Sequence, residues 1–209
     1  MILSRQHCPC CTRPLPACIC RWITPVTSVA GLLILQHPME THNAKGSARL
    51  LHLSVAGSTI AQGEAFDPAQ LRALLYAGGQ TPLLLYPETP GEGGQAKSSV
   101  AGPALLANPA GLRLVVLDGT WRKSRKMLYQ NPLLQALPRM PLTQMPPSHY
   151  LIRKAHAPDQ LSTLEASCYA LGQLHGDAVA FQPLLDAFDR FVAHFQQTGG
   201  KLDALPNHA

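Results

Sequence analysis

The stretch Leu114 to Lys126 reads Leu-Val-Val-Leu-Asp-Gly-Thr-Trp-Arg-Lys-Ser-Arg-Lys, and it constrains this chain more than any other. Leu114–Leu117 is a short, β-branched apolar run, the pattern of a strand buried on both faces. Such strands belong to mostly parallel sheets flanked by helices, so the expected class is α/β. The run stops at Asp118. Gly119 permits a tight turn and Thr120 can cap a following helix. That helix opens with Trp121 and the cations Arg122, Lys123, Arg125 and Lys126. In open α/β sheets, ligands bind at the carboxyl ends of strands, which is where Asp118 falls. The plainer alternative is a strand-to-helix turn with a solvated cationic first turn.

Two more runs repeat the pattern. Val29 to Gln36 reads as a buried strand ending in His37-Pro38-Met39-Glu40. Thr81 to Tyr86 reads as another, ending in Tyr86-Pro87-Glu88. Three strand ends of this kind could line one pocket. Taken alone, His37 could be a base, a ligand or a hydrogen-bonding hinge, and a lone histidine is more often structural.

Between the strands the periodicity is helical. Residues 44–55 form one candidate helix. Asp67-Pro68 starts another by the cap-then-proline rule, with Leu71, Leu74 and Leu75 as its apolar stripe and Gly78-Gly79 as its stop. Residues 121–129 form a third, broken at Asn131-Pro132. His149–Arg153 reads as a short strand. Ser162-Thr163-Leu164-Glu165 is a capping box; the same helix start could also offer N–H groups to an anionic ligand. Cys168 reads as a small buried hydrophobe. Phe188, Phe191 and Phe195 lie on the core stripe of a last helix spanning 184–195. The loop with Gly91, Gly93 and Gly94 fits neither a P-loop nor a dinucleotide fingerprint.

Five of six cysteines crowd the first 21 residues: Cys8, Cys10, Cys11, Cys18 and Cys20. Cys8 and Cys11 make a C-x-x-C, and Cys18 and Cys20 a C-x-C. No apolar signal segment precedes them and no stretch is long enough to span a bilayer, so the expected compartment is the cytosol. In that setting thiol density points to metal, zinc first, with Cys8, Cys11, Cys18 and Cys20 as ligands and Cys10 able to replace Cys8 or Cys11. The net charge of +5 permits nucleic-acid binding without requiring it. The expected organisation is a cysteine-rich module over 1–24, a catalytic α/β domain over 25–198 and a tail over 199–209.

The whole set of landmarks resembles the DTW-domain family. Asp118-Gly119-Thr120-Trp121 resembles its D-x-T-W signature. In order along the chain stand the cysteine cluster, His37-Pro38-x-Glu40, Tyr86-Pro87-Glu88, and Arg153 followed by Ser162-Thr163-Leu164-Glu165-Ala166. The resemblance implies a SPOUT-like sheet with a C-terminal trefoil knot. It implies transfer of the 3-amino-3-carboxypropyl group of S-adenosylmethionine to N3 of a tRNA uridine, at variable-loop position 47 in bacterial members. Asp118 would be the base on N3. The adenosylmethionine pocket would draw on His37, Pro38, Tyr86, Pro87, Leu117 and Asp118, on Gly119, Thr120 and Trp121, and on Ser162, Thr163 and Glu165. Candidate tRNA contacts are Arg5, Arg13 and Arg21 from the cysteine module, then Arg122, Lys123, Arg125, Lys126, Arg153 and Lys154. The resemblance leaves the oligomeric state open, with a lean to a monomer. Two competing readings are an S-adenosylmethionine-dependent RNA methyltransferase on the same fold and a zinc-stabilised RNA-binding protein without catalysis.

Overall fold

The computed structural model describes residues 6–41, 43, 46–88, 99–142 and 161–198. In chain order the elements are β1 (Gly31–Gln36), α1 (Ala48–Ser54), β2 (Thr59–Gln62), α2 (Pro68–Leu75), β3 (Thr81–Leu84), α3 (Pro103–Leu106), β4 (Leu112–Asp118), α4 (Trp121–Gln130), α5 (Pro132–Gln135), α6 (Thr163–His175) and α7 (Gln182–Gln197). The four strands form one sheet in the order β2-β1-β4-β3, and every neighbouring pair is parallel. Strands β1 and β4, the two most apolar runs, take the central positions.

Side chains on successive strand positions alternate between two cores, as the pleat requires. Leu32, Ile34, Leu114 and Val116 face a layer made by α1, α6 and α7. Leu33, Leu35, Val115 and Leu117 face α2, α4 and α5. Covering both faces is what makes the central strands read as unbroken apolar runs. Phe188, Phe191 and Phe195 are all buried in the first core, and so is Cys168.

The helix starts follow local chemistry. Asp67 Oδ1 accepts from the Gln70 N–H at 2.8 Å, with Pro68 at the first helical position. Thr120 Oγ1 accepts from the Lys123 N–H at 3.4 Å. Both bonds of the Ser162/Glu165 capping box are present. Asn131-Pro132 ends α4, yet the proline then serves as the first residue of α5, a position that needs no N–H.

Some expected boundaries move. α1 starts at Ala48; residues 44 and 45 lie outside the described residues, as does the strand expected over His149–Arg153. Val29 is 44% exposed and precedes β1. The β3 ladder stops at Leu84, although the Leu85 N–H still donates to the Val115 carbonyl at 2.9 Å. Strand β2, Thr-Ile-Ala-Gln, has no apolar run to announce it: it is an edge strand, half-buried along most of its length.

The cap of α2 should be separable from the site. Asp67→Ala should lower the unfolding free energy by about 1 kcal/mol, while Asp67→Asn, which keeps an acceptor oxygen, should cost only a few tenths. Urea unfolding at unchanged m-value checks this.

Candidate functional site

A polar cluster sits at the carboxyl ends of the two central strands. Asp118 ends β4 and is the register partner of Gln36, which ends β1. Its carboxylate is 6% exposed and is held from two sides. Gln36 Nε2 donates to Oδ2 at 2.9 Å, and Thr163 Oγ1 donates to Oδ1 at 2.7 Å. Neither donor is charged. The Thr163 bond ties the first residue of α6 to the end of β4.

The start of α6 is itself fixed. Ser162 Oγ accepts the Glu165 N–H at 3.2 Å, and Glu165 Oε2 accepts the Ser162 N–H at 2.7 Å. The Leu164 N–H goes to Ser47 Oγ at 3.3 Å. Two amides of this first turn are therefore spent on protein acceptors. The start of α6 is thus not an open N-terminus.

His37 follows Gln36, and its backbone N–H donates to the Asp118 carbonyl at 2.9 Å. Its Nδ1 accepts from the Met39 N–H at 3.1 Å, which places the ring proton on Nε2. Nε2 then donates to Glu64 Oε1, also at 3.1 Å. Both ring nitrogens are engaged, so the histidine acts as a hydrogen-bonded hinge between β1 and the loop after β2. The Lys126 ammonium, 2.9 Å from the same Glu64 oxygen, and the His37 N–H hold the Glu64 carboxyl below its ordinary range. Glu40, nearly buried, pairs with Lys123 Nζ at 2.8 Å and accepts from Asn43 Nδ2 at 2.9 Å.

On the β3 side, Tyr86 stacks on Trp121, with ring centroids 5.1 Å apart and planes 14° from parallel. The Arg139 guanidinium lies 5.1 Å from the Tyr86 ring centroid. Arg139 is buried and its backbone bonds Ser99 and Ala101. The Tyr86 hydroxyl is buried with no hydrogen-bond partner among the described residues. Burial pushes that phenol up to about 12, so it stays neutral at physiological pH.

Most of the expected pocket residues therefore meet at one edge. Asp118, Thr163, Ser162, Glu165, His37 and Leu117 are buried or half-buried there, Gly119 and Thr120 make the turn, and Pro38 and Pro87 are exposed at its rim. Gln36, Ser47, Glu64 and Arg139 complete the network without having been singled out from sequence. Gln36 carried a usable signal, being the polar residue that closes a buried apolar run. Glu64 and Arg139 reach the site only through tertiary packing.

The candidate RNA-facing cations divide in two. Lys123 and Lys126 carry the ion pairs above. Arg13 Nη2 donates to the carbonyls of Gly46 and Asn43 at 3.0 and 3.4 Å. Arg21, Arg122 and Arg125 are exposed, with Arg21 4.0 Å over the Trp22 ring. Arg5, Arg153 and Lys154 lie outside the described residues.

The cysteine module has a second constellation. The sulfurs of Cys8, Cys11, Cys18 and Cys20 all lie within 4.8 Å of one another and can hold a metal ion. Cys10 is exposed and outside the group. The Cys11 backbone N–H is the largest influence holding the Cys8 thiol down, to about 6, whereas burial pushes the Cys18 and Cys20 thiols up. Trp22 anchors the module by an edge-to-face contact with Phe191 of α7, centroids 5.1 Å apart.

A parallel α/β domain, an acid-centred cluster at its strand ends and a four-sulfur group together define the class. The chain belongs to the DTW-domain family, whose model matches residues 5–196. It is similar to proteins named tRNA-uridine aminocarboxypropyltransferase 2. The relative from Drosophila melanogaster is 30% identical, covering 81% of this chain and 67% of its own length. That from Macaca fascicularis is 25% identical, covering 98% of this chain and 68% of its own. A protein named tRNA-uridine aminocarboxypropyltransferase A from Arabidopsis thaliana is 28% identical over 59% of this chain and half of its own. No solved structure matches the chain.

The division of cations is measurable. Lys123→Met should destabilise by roughly 1–3 kcal/mol, because it strips a charged partner from the nearly buried Glu40. Arg122→Met, on the exposed face of α4, should change stability by less than about 0.5 kcal/mol. Urea midpoints of the two variants check the contrast.

Proposed function

We propose that this protein is a tRNA-uridine aminocarboxypropyltransferase, transferring the 3-amino-3-carboxypropyl group of S-adenosylmethionine to N3 of a uridine at variable-loop position 47. The reading rests on the family and on the names of its relatives. The observation that carries it to this chain is the seat of Asp118 within Asp118-Gly119-Thr120-Trp121: a buried carboxylate, bonded by Gln36 and Thr163, at the strand ends where α/β sheets bind ligands.

S-adenosylmethionine supplies an electrophilic γ-carbon on a sulfonium leaving group, and the chain supplies position and a base. Asp118 takes the N3 proton of uridine, because the neutral imide nitrogen is a poor nucleophile. The N3 lone pair forms the bond to the γ-carbon. The carbon–sulfur bond breaks with its electrons going to sulfur, so methylthioadenosine leaves neutral. A positioned base of this kind contributes about 10²–10⁴ in rate. Gln36 and Thr163 hold the carboxylate in place, and the capping box fixes Thr163. The neutral Tyr86 hydroxyl, unpartnered among the described residues, is a donor available to the polar end of the methionine moiety. Selecting the γ-carbon over the methyl is a matter of geometry.

The same reading gives the domain the SPOUT-type fold with a C-terminal trefoil knot; the parallel sheet and the start of α6 beside the end of β4 support it. It places the enzyme in the cytosol and leaves its oligomeric state open, with a lean to a monomer. No helix among the described residues is long and apolar enough to cross a membrane.

For the metal centre we infer structural zinc. Four thiolates at about 2.3 Å from zinc lie roughly 3.8 Å apart at the corners of a tetrahedron. The Cys8–Cys20 and Cys11–Cys18 separations are 3.5 and 3.7 Å. With four protein ligands no position stays open for chemistry.

The deciding assay incubates purified protein with unmodified tRNA and S-adenosylmethionine, then measures nucleoside masses. Aminocarboxypropyl-uridine with methylthioadenosine is expected; methyl-uridine with adenosylhomocysteine would replace this reading with a methyltransferase. Asp118→Asn should lose at least about 10²-fold in turnover at near-normal cofactor affinity. Loss of cofactor affinity instead would assign Asp118 to orienting the cofactor amine.

Metal analysis should return one zinc per chain. Strong chelation should lower the unfolding temperature, and a fully folded, metal-free protein would contradict the zinc centre.

A further inference from the structure

A buried phenol nearly always finds an acceptor, and Tyr86 has none among the described residues. The residue is only 4% exposed, so water does not serve its hydroxyl freely either. Such a group is a cost to the fold unless a ligand supplies the missing partner. The ring cannot swing out to find one. The Leu85 N–H donates to the Val115 carbonyl, which ties the chain to β4 up to the residue before Tyr86. Trp121 stacks on the ring. Residues 138–140 run along the outer edge of β3, where the Leu84 N–H donates to the Pro138 carbonyl and the Met140 N–H to the Leu84 carbonyl, each at 2.9 Å. That ladder sets Arg139 beside Tyr86, its guanidinium 5.1 Å from the ring centroid.

Arg139 is the only buried Arg or Lys among the described residues. Burial is the largest influence on the phenol and keeps its proton on; the Arg139 charge pulls the other way, so its field reaches the hydroxyl. That field acts across the gap whatever hydrogen bonds the guanidinium makes. A protonated hydroxyl in a positive field suits an anionic acceptor and disfavours a cation. S-adenosylmethionine has one anionic group, the α-carboxylate, and two cationic ones, the ammonium and the sulfonium. The acid of the site, Asp118, ends the neighbouring strand β4. The strand ends are therefore polarised, with the acid on β4 and the cation and hydroxyl donor beside β3.

We propose that the Tyr86 hydroxyl binds the α-carboxylate of the methionine moiety, and that this anchor sets which carbon of the sulfonium faces the uridine. The inference rests on the aminocarboxypropyl reading and names the residue behind its choice of carbon. The γ-carbon lies between the carboxylate and the sulfur, so holding both ends of that chain fixes its place. The methyl group on the same sulfur has no second anchor.

Calorimetric titration of the wild-type protein and Tyr86→Phe with three ligands tests the anchor. S-adenosylmethionine carries the carboxylate. Decarboxylated S-adenosylmethionine lacks it but keeps both cations, and methylthioadenosine lacks the whole amino-acid chain. The substitution keeps the ring against Trp121 and removes only the hydroxyl. It should weaken S-adenosylmethionine binding by about 10- to 150-fold, the range for a hydrogen bond to a charged group, and change the other two by less than about twofold. Differences in ligand charge are common to both proteins and cancel in the cycle. Ligand-free Tyr86→Phe should unfold at the wild-type temperature or above, because it sheds an unbonded buried hydroxyl. A lowered temperature would mean that the hydroxyl is bonded within the fold, and would overturn the assignment. Unchanged S-adenosylmethionine affinity, or an equal loss for all three ligands, would overturn it too. A loss shared with the decarboxylated ligand but not with methylthioadenosine would give the hydroxyl to the ammonium instead. The outcomes also separate the two readings. Methyl-uridine from the wild-type protein, with the carboxylate-specific loss present, keeps the carboxylate contact and loses the assigned reaction and its choice of carbon. Aminocarboxypropyl-uridine without that loss keeps the reaction and loses the anchor.

Discussion

One nearly buried carboxylate holds the site together. Asp118 at the end of β4 receives hydrogen bonds from Gln36 at the end of β1 and from Thr163 at the start of α6. A carboxylate taken out of water is costly unless its oxygens are satisfied, so these bonds are conditions for the fold as much as for chemistry. Each donor is delivered by a regular element. The parallel register sets Gln36 opposite Asp118. The capping box and Ser47 fix the first turn of α6, and with it Thr163. Three positions far apart in the chain thus converge at the ends of regular elements.

The acids around this centre decide what the neighbouring cations are for. Glu40 binds Lys123 and Glu64 binds Lys126, on the helix that carries Trp121. Both acids lie beside the end of β1, so these pairs clamp α4 onto the strand ends. The Lys126 pair is largely exposed and adds little stability on its own. The Lys123 pair, nearly buried at its acid end, does more. A run that reads in sequence as four equivalent charges becomes two struts and two outward arginines. Net charge cannot carry that distinction.

The parts of this architecture that were legible are those coded locally. The apolar runs of β1, β3 and β4, the caps Asp67, Thr120 and Ser162, and the sulfur group at Cys8, Cys11, Cys18 and Cys20 depend on short-range pattern. Strand β2 was not legible, because a half-buried edge strand of four residues has neither an apolar run nor clean alternation. Among site residues, Asp118, His37 and Tyr86 were marked by their place at strand ends. Arg139 and Glu64 were invisible: nothing near them in the chain indicates that one backs Tyr86 and the other bonds His37. The stack of Trp121 on Tyr86 joins two legible residues in a contact that neither announces.

The cysteine module is joined to this site by contiguous contacts, which gives its four-sulfur group a physical bearing on the strand-end cluster. Arg13 donates to the carbonyl of Gly46, and Arg49 in α1 reaches the carbonyl of Cys10, so the module and the start of α1 hold each other. The next residue, Ser47, accepts the Leu164 N–H beside Thr163. On the other flank, Trp22 packs on Phe191 of α7, which shares a core with α6. Both routes end on the helix whose first hydroxyl holds Asp118. A segment as short as this module buries little apolar surface of its own, and four sulfurs on one ion would lock it in place without a core. A metal ion held by these four sulfurs would act as a fixed point from which the start of α6, and through it the carboxylate, takes its position.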